Sequence, residues 1–475
     1  PRLVLHLARR RGPFVLAELA ARYGLARPAL LAILSAPEAE GRILRGGFLP
    51  GGDGEEWCDP EVLRRIKRRT LAHLRDEVAP VEPEALVRFL ADWQGLNADS
   101  CSDDEALERI VGLEGLSLSL RDLETRILPA RGIRDPASHL DRLCASGELV
   151  WVGQGAVDAR DLRIVLLRRD RADLLGTLPP PAEDPSPARR SIVETLSTRG
   201  ACFFSELWSA GREHRQEDLD QALWDLVLEG QVTNDGLDVL RRRGRGRSAR
   251  PRGTRGSLPG GRWSLVSSLF HAERSDTERV HARVTTLLER YGLLTSTAVL
   301  GEETPGGFAG LYPVLRTMED SGLVRRGHFA DGQGGAQFAL PGAVDRLRAA
   351  RRVPTAAKAR TLATCDPAQP YGQLLPWPDL RSESAPRPKR QPGTQVVILD
   401  ASCVLWVGRK GRQIVLFDDD TDHLEMALRA LCQASRDGGA LRIERIDGEP
   451  ATASRWTALF IQSGFRNDYR SLSTD

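Results

Sequence analysis

One pattern in this chain is written four times, and it limits the fold more than any other feature. EAEGRILRGGFLPG (Glu38–Gly51) recurs as CASGELVWVGQG (Cys144–Gly155), VLEGQVTNDG (Val227–Gly236) and EDSGLVRRGHFADG (Glu319–Gly332). Each copy reads as the end of a helix, a glycine, a short apolar strand and a Gly-rich turn. Gly41, Gly147, Gly230 and Gly322 stand where a helix C-terminus needs a residue with positive φ, a conformation glycine adopts without steric cost. A strand, a tight turn and a returning strand after a helical hairpin make the wing of a winged helix. The four glycines are 106, 83 and 92 residues apart. That spacing is too irregular for a solenoid and suits separate modules of about that size.

A chain of 475 residues has room for roughly three to five such domains. With 41% apolar and 28% charged residues, its composition is that of a soluble protein. No run reaches the ~18 apolar residues of a membrane span, and no signal segment opens the chain. A cytoplasmic, nucleoid-associated location is expected, with no membrane partner. The start at Pro1, inside an apolar-periodic stretch, reads as a piece of a longer protein. A net charge of +2 gives no global attraction for a polyanion, so any nucleic-acid surface must be local. The cations are nearly all Arg, with Lys only at 67, 358, 389 and 410. Genome composition accounts for that bias as well as the bidentate geometry of Arg does. Seven cysteines without a CxxC pair argue against a zinc site or a disulfide framework. No metal and no cofactor are expected.

Taken in order, the chain predicts an α+β fold: a tandem array of winged-helix modules followed by a C-terminal β-barrel-like module. Residues 1–80 form the first winged helix plus a charged connecting helix (Glu61–Val78), with Pro28 near the start of the helix before the wing. Residues 83–177 form the second, with helices at Leu86–Leu96, Asp104–Gly112 and Pro136–Ser146. A Pro-rich linker follows at Leu178–Pro187. Residues 188–268 form the third, its wing split by an insertion, and residues 272–352 the fourth. In 354–475, Gln395–Asp400, Val404–Gly408 and Arg412–Phe417 read as strands. The last two join through the basic turn Arg409-Lys410-Gly411.

The insertion Arg241–Arg262 holds nine Arg, six Gly and no acid. It cannot bury a core; a solvated loop and an arm tracking a phosphate backbone are equally open readings. The candidate DNA-binding cations are Arg42, Arg45, Arg241, Arg242, Arg243, Arg245, Arg247, Arg325, Arg326, Arg409 and Lys410. Wing two (VWVG) is apolar and is expected to pack against a neighbouring module or subunit rather than DNA. Asp418, Asp419, Asp420 and Asp422 lack the spacing of an EF-hand and read as a helix cap, beside a surface His423.

DPAQPYGQLLPWPDL, the VVILD…LWVGRKGRQIVLF hairpin and RIERIDGEPA, following winged helices, resemble the C-terminal region of the bacterial large helicase-related protein (Lhr) family. The resemblance covers essentially the whole chain and is most specific over Asp366–Pro378 and Val396–Phe417. It implies a region downstream of an ATP-driven, 3′-to-5′ DNA-translocating helicase core. That motor would be an N-terminal partner; this chain has no GxxxxGK[ST] loop. The plan is similar to that of winged-helix DNA glycosylases. The resemblance implies duplex, forked or single-stranded DNA as partner, excision of uracil or damaged bases, and homo-oligomer assembly. Its alternative is a non-catalytic scaffold, with Trp93, Trp151, Trp208 and Trp224 at interfaces.

Cleaving an N-glycosidic bond calls for a flipped base and a carboxylate beside the developing sugar cation. The candidates are Asp366, Asp400, Asp468 and Asp475. The family's essential Asp lies very near its C-terminus, which favours Asp475 and then Asp468. The Gln-x-Gln and Gln-x-Asp motifs of the crosslink-unhooking relatives have no counterpart in the C-terminal module. Tyr371 and Trp377 are candidates to stack on a base.

Overall fold

The computed structural model describes residues 2–49, 55–98, 100–178, 180, 185–244, 260–270, 274–354 and 356–474. The chain divides into two compact units, Pro1–Pro80 and Val81–Asp475. The first contains one winged module and the second contains three more and the strand-rich C-terminal part.

Among the described residues, four three-stranded sheets share one order. The returning wing strand lies in the middle. On one side is the outgoing wing strand, and on the other a short strand between the first and second helices. In the first module, Phe14–Val15 and Leu44–Gly46 flank Glu56–Cys58. The equivalents of Phe14–Val15 are Ser117–Ser119, Cys202–Phe203 and Leu293–Leu294. These strands have two or three residues, too few to show the alternation by which a strand is read from sequence. At matching registers the middle strand places Trp57 opposite Phe14, Ile164 opposite Leu118, Trp263 opposite Cys202 and Phe338 opposite Leu294. All eight are buried and form the hinge of each module's core.

The four glycines do what the repeat requires. Their φ values are 66°, 80°, 71° and 75° for Gly41, Gly147, Gly230 and Gly322. In three copies the next residue turns back to the helix: Arg42, Gln231 and Leu323 donate N–H to the carbonyls of Pro37, Leu226 and Met318. This is the six-to-one bond of a Schellman cap.

The modules differ in what their wings touch. Wings one and four are built alike. Buried Glu56 and Gln337 stand opposite Gly46 and Gly327. Each side chain reaches along the turn: Glu56 accepts from the N–H groups of Phe48 and Leu49, Gln337 from those of Phe329 and Ala330. Wing two instead packs on module three. Trp151 is fully buried in a core shared by the two modules, and Thr233 Oγ1 donates to the Trp151 carbonyl at 2.6 Å. Gly153 lies against the backbone of Val227, where a Cβ would overlap the carbonyl oxygen.

The helix Pro83–Trp93 packs on the core of module four, where Phe89 and Leu90 join Leu287, Leu288 and Leu347. Its apolar residues run nearly all round the helix, so periodicity marks it as buried without saying against what. The helices of module two's hairpin are Asp103–Val111, a segment over Leu120–Ala130 with a π-turn at Leu123–Ile127, and Pro136–Ala145. The C-terminal part, in turn, is not a closed barrel. Its strands form an open six-stranded sheet with Ala359–Ala363 at one edge and Glu449–Pro450 at the other, plus a separate three-stranded sheet. One face of the larger sheet packs on module four; the other is covered by the helix Thr421–Gly438.

Because backbone opposes backbone at Gly153, Gly153→Ala should destabilise the unit by about 1–3 kcal/mol. Gly342→Ala, where nothing lies within 4 Å of the new Cβ, should be near neutral. Urea denaturation midpoints compare the two; equal midpoints would show that the contact between modules two and three is dispensable.

Candidate nucleic-acid interface

The candidate cations divide by what already holds them. Arg241 is committed to the fold: it pairs with Glu124 and Asp141 at 2.7 and 2.6 Å and bonds to the Ala137 carbonyl. Arg409 reaches wing two, donating to the Val157 carbonyl and the Asp158 carboxylate at 3.0 and 3.1 Å. Both tie modules together. Arg42 pairs with Glu40, Arg45 with Glu55 while stacking over Trp57, and Arg242 with Asp238. Arg326 pairs with Glu319 and Arg243 with Asp220. These five are at least partly exposed, and ion pairs of that exposure are weak enough to exchange for phosphates. Arg325 and Lys410 are exposed and, among the described residues, have no ion pair. Lys410 sits at a turn with φ 63°. Arg245 and Arg247 lie outside the described residues.

The candidate carboxylates separate more sharply. Asp366 is fully buried and takes both guanidinium nitrogens of Arg131 at 2.7 Å, plus the Ala368 N–H. Arg131 is equally buried and also bonds Gln94 and the Ile127 carbonyl. Gln94 passes the network to the Arg290 carbonyl at 2.5 Å, and the Arg290 guanidinium holds Glu302 and the Gly112 carbonyl. Burial pushes Arg390, which caps the carbonyls of Asp366, Gln369 and Tyr371, below its ordinary value. Asp366 is therefore a joint between modules rather than a group with a free face. Asp400 is held by Arg88 at 2.8 Å. Asp468 is different: it is 62% exposed on the strand Arg466–Asp468, and among the described residues its ion-pair partner is Arg442 at 3.6 Å. Asp475 lies outside the described residues. Its neighbour Thr474 is held by two hydrogen bonds with Leu441 at 3.1 and 2.9 Å.

The aromatic candidates are half-buried. Tyr371 donates to the Ala401 carbonyl at 2.6 Å, and Trp377 covers Gly372 at the edge of the module-four core. Asp420 caps its helix by accepting from Asp422 and His423 N–H, and Asp418 holds His423 Nδ1 at 2.9 Å. That hydrogen bond raises His423 above its ordinary value. The tryptophans considered for interfaces are used within the chain: Trp151 is core, and Trp93 donates to the Glu289 carbonyl under Arg346. Trp208 and Trp224 pack on the shared core of modules two and three.

Residues 81–169 and 273–359 each match a domain family described as the winged-helix domain of the large helicase-related protein. The chain belongs to the Lhr family. It is 38% identical over 94% of its length to the "Lhr helicase/ probable uracil glycosylase" of Mycolicibacterium smegmatis. It is 31% identical over 88% of its length to the "Lhr helicase/uracil glycosylase" of Escherichia coli. It spans only 31% and 30% of those relatives, in their C-terminal part. Among solved structures, the Streptomyces sahachiroi DNA glycosylase AlkZ aligns over 78% of this chain and 99% of its own, at 14% identity and a TM-score of 0.44. That likeness is too loose to transfer any feature.

The residues that sequence reasoning missed are Arg131, Gln94, Arg290 and Arg390. Each sits in an unremarkable local context, and their partners lie tens to hundreds of positions away. Removing the charge of Asp366 leaves Arg131 buried and unpaired, so Asp366→Asn should cost about 3–5 kcal/mol. Asp468→Asn should be within about 0.5 kcal/mol of the parent. Thermal and urea unfolding of both variants checks this; equal, small losses would show that the joint is not structural.

Proposed function

We propose that this Lhr-family chain engages DNA through its winged modules and takes part in excising uracil or a damaged base, downstream of the helicase motor. What carries the reading is the match over nearly the whole chain to two relatives both named as Lhr helicases and uracil glycosylases. The modules supply a scaffold on which backbone contacts position DNA without reading sequence. The exposed cations at Arg325, Arg326, Lys410, Arg42, Arg45, Arg242 and Arg243, with the Arg-rich run that includes Arg245 and Arg247, would supply those contacts.

For the chemistry, a flipped base and a carboxylate beside the sugar are required. Asp366 and Asp400 support the reading less than Asp468 does, because Arg131 and Arg88 occupy them. Asp468 is largely exposed, with one long ion pair to Arg442 at 3.6 Å, and Asp475 follows the anchored Thr474 in sequence. We assign the cation-stabilising or water-orienting role to Asp475 first and Asp468 second.

Replacing the Arg of 242–255 by Ala should weaken duplex and forked DNA binding, and should flatten the dependence of log K on log salt by about 0.9 for each phosphate no longer neutralised. Affinity and slope unchanged from the parent would remove the run from the DNA surface. In a separate assay, uracil-containing DNA incubated with the parent chain should acquire abasic sites. Asp475→Asn should lower that rate at least about 100-fold without changing the unfolding midpoint. Abasic product from neither uracil-containing nor alkylated DNA would leave DNA engagement without excision.

A further inference from the structure

Wing two and the third module's reader helix enclose a cleft that one of the DNA-binding candidates above, Arg243, borders. Its volume is about 340 Å³, within the range of small-ligand clefts, about 300–1,000 Å³. One wall is the turn of wing two, residues 156–162. The other is the helix Gln216–Leu228, through Gln221, Trp224 and Leu228, with Leu240 and Arg243 at its end.

In winged helices the helix before the wing enters the major groove. Here its C-terminal end is covered: Gly153 of wing two lies directly on Val227 and Leu228, with no room for a Cβ between them, so a groove about 12 Å wide has no access to that end of the helix. What stays open is a slot with an aromatic floor. Trp224 is half-buried, one face backed by the shared core and the other covered by the Arg243 guanidinium at 5.1 Å. Gln221 borders it, donating to Asp225 at 2.7 Å and accepting from Arg243 at 3.3 Å. Arg160 stands at the mouth, exposed and, among the described residues, without an ion pair.

The acids around the cleft are already engaged. Asp158 accepts from Arg409 and from the Arg160 N–H. Asp161 accepts from Ser119 Oγ and the Arg121 N–H. Asp220 pairs with Arg243, and Asp225 with Arg189. A ligand that combines a flat ring with an anionic backbone would meet the Arg160 guanidinium at the mouth and, by displacing Arg243 from its half-exposed pair with Asp220, the face of Trp224.

We propose that this cleft holds one unstacked base of single-stranded DNA on the face of Trp224. The base takes the place of the Arg243 guanidinium. Arg243 then exchanges its half-exposed pair with Asp220 for a backbone phosphate, and Arg160 contacts the phosphate at the mouth. The inference rests on the DNA-binding reading above and names the form of DNA this site takes.

Fluorescence anisotropy of the full chain with a labelled oligothymidylate strand and, separately, a blunt duplex tests it. Trp224→Ala should weaken single-strand binding about tenfold, the loss of one stacked base, and leave duplex affinity unchanged. Trp224→Phe should recover most of the loss. Ala159→Glu, on the exposed turn where folding is not at stake, should weaken single-strand binding alone by placing a carboxylate at the mouth. Single-strand affinity unchanged in both Trp224→Ala and Ala159→Glu overturns the site while leaving DNA binding intact, and so does an equal loss on both DNAs. Binding of neither DNA by the parent chain overturns the DNA-binding reading and this site together.

Discussion

The buried pair between Arg131 and Asp366 is the constraint on which unit Val81–Asp475 depends. Neither side chain reaches solvent, and an ion pair in that position is tolerable only when every donor and acceptor around it is matched. Here they are matched by groups from distant parts of the chain: Gln94 after the helix Pro83–Trp93, the Ile127 carbonyl in module two, and Ala368 in the C-terminal segment. Gln94 and Arg290 carry the same network into module four. Any arrangement that shifts one module relative to the others strands a buried charge. The network therefore discriminates against misassembly more than it adds stability, since well-packed apolar residues would stabilise as well.

The same network explains why DPAQPYGQLLPWPDL is such a specific stretch. Read as sequence, an Asp before a Pro is either a turn residue or a catalytic acid, and nothing local distinguishes these from a third role. The distinguishing fact is Arg131, 235 positions away in the sequence. Legibility followed the range of the interaction. The glycine caps, the helices ending at them and the wing strands depend on residues within one turn, and they were readable. The two-residue strands such as Phe14–Val15 exist only because Trp57 lies opposite, so they were not. The barrel expectation is unconfirmed for the same reason: strand runs were visible, but the edges of a sheet are set by pairings between strands far apart.

Within the common frame the modules have divided their surfaces. In modules one and four each wing turn is tied down from inside by a buried side chain, Glu56 or Gln337, and wing four is also held by the Val81 backbone and by Gln333 on the Leu374 carbonyl. A wing stiffened in that way presents Arg45 or Arg326 from a fixed backbone, so less conformational freedom is lost when a phosphate is bound. Modules two and three instead turn their wing-facing surfaces toward each other. Arg241 is a polar seam of that arrangement, and Arg409 ties the C-terminal part to wing two.

That division bears on how a winged-helix array can serve base chemistry. A reader helix lying in a duplex groove holds bases in their stack, where a carboxylate cannot be brought to the glycosidic bond. Wing two covers the C-terminal end of the reader helix of module three. The cleft beside that end is lined by Trp224, Arg160 and Arg243. On the proposed reading, the paired modules take DNA that has already left the helix. The apolar VWVG of wing two is what makes this possible: a charged wing would be repelled from the core it must enter, and Gly153, with no side chain, lets the two backbones close.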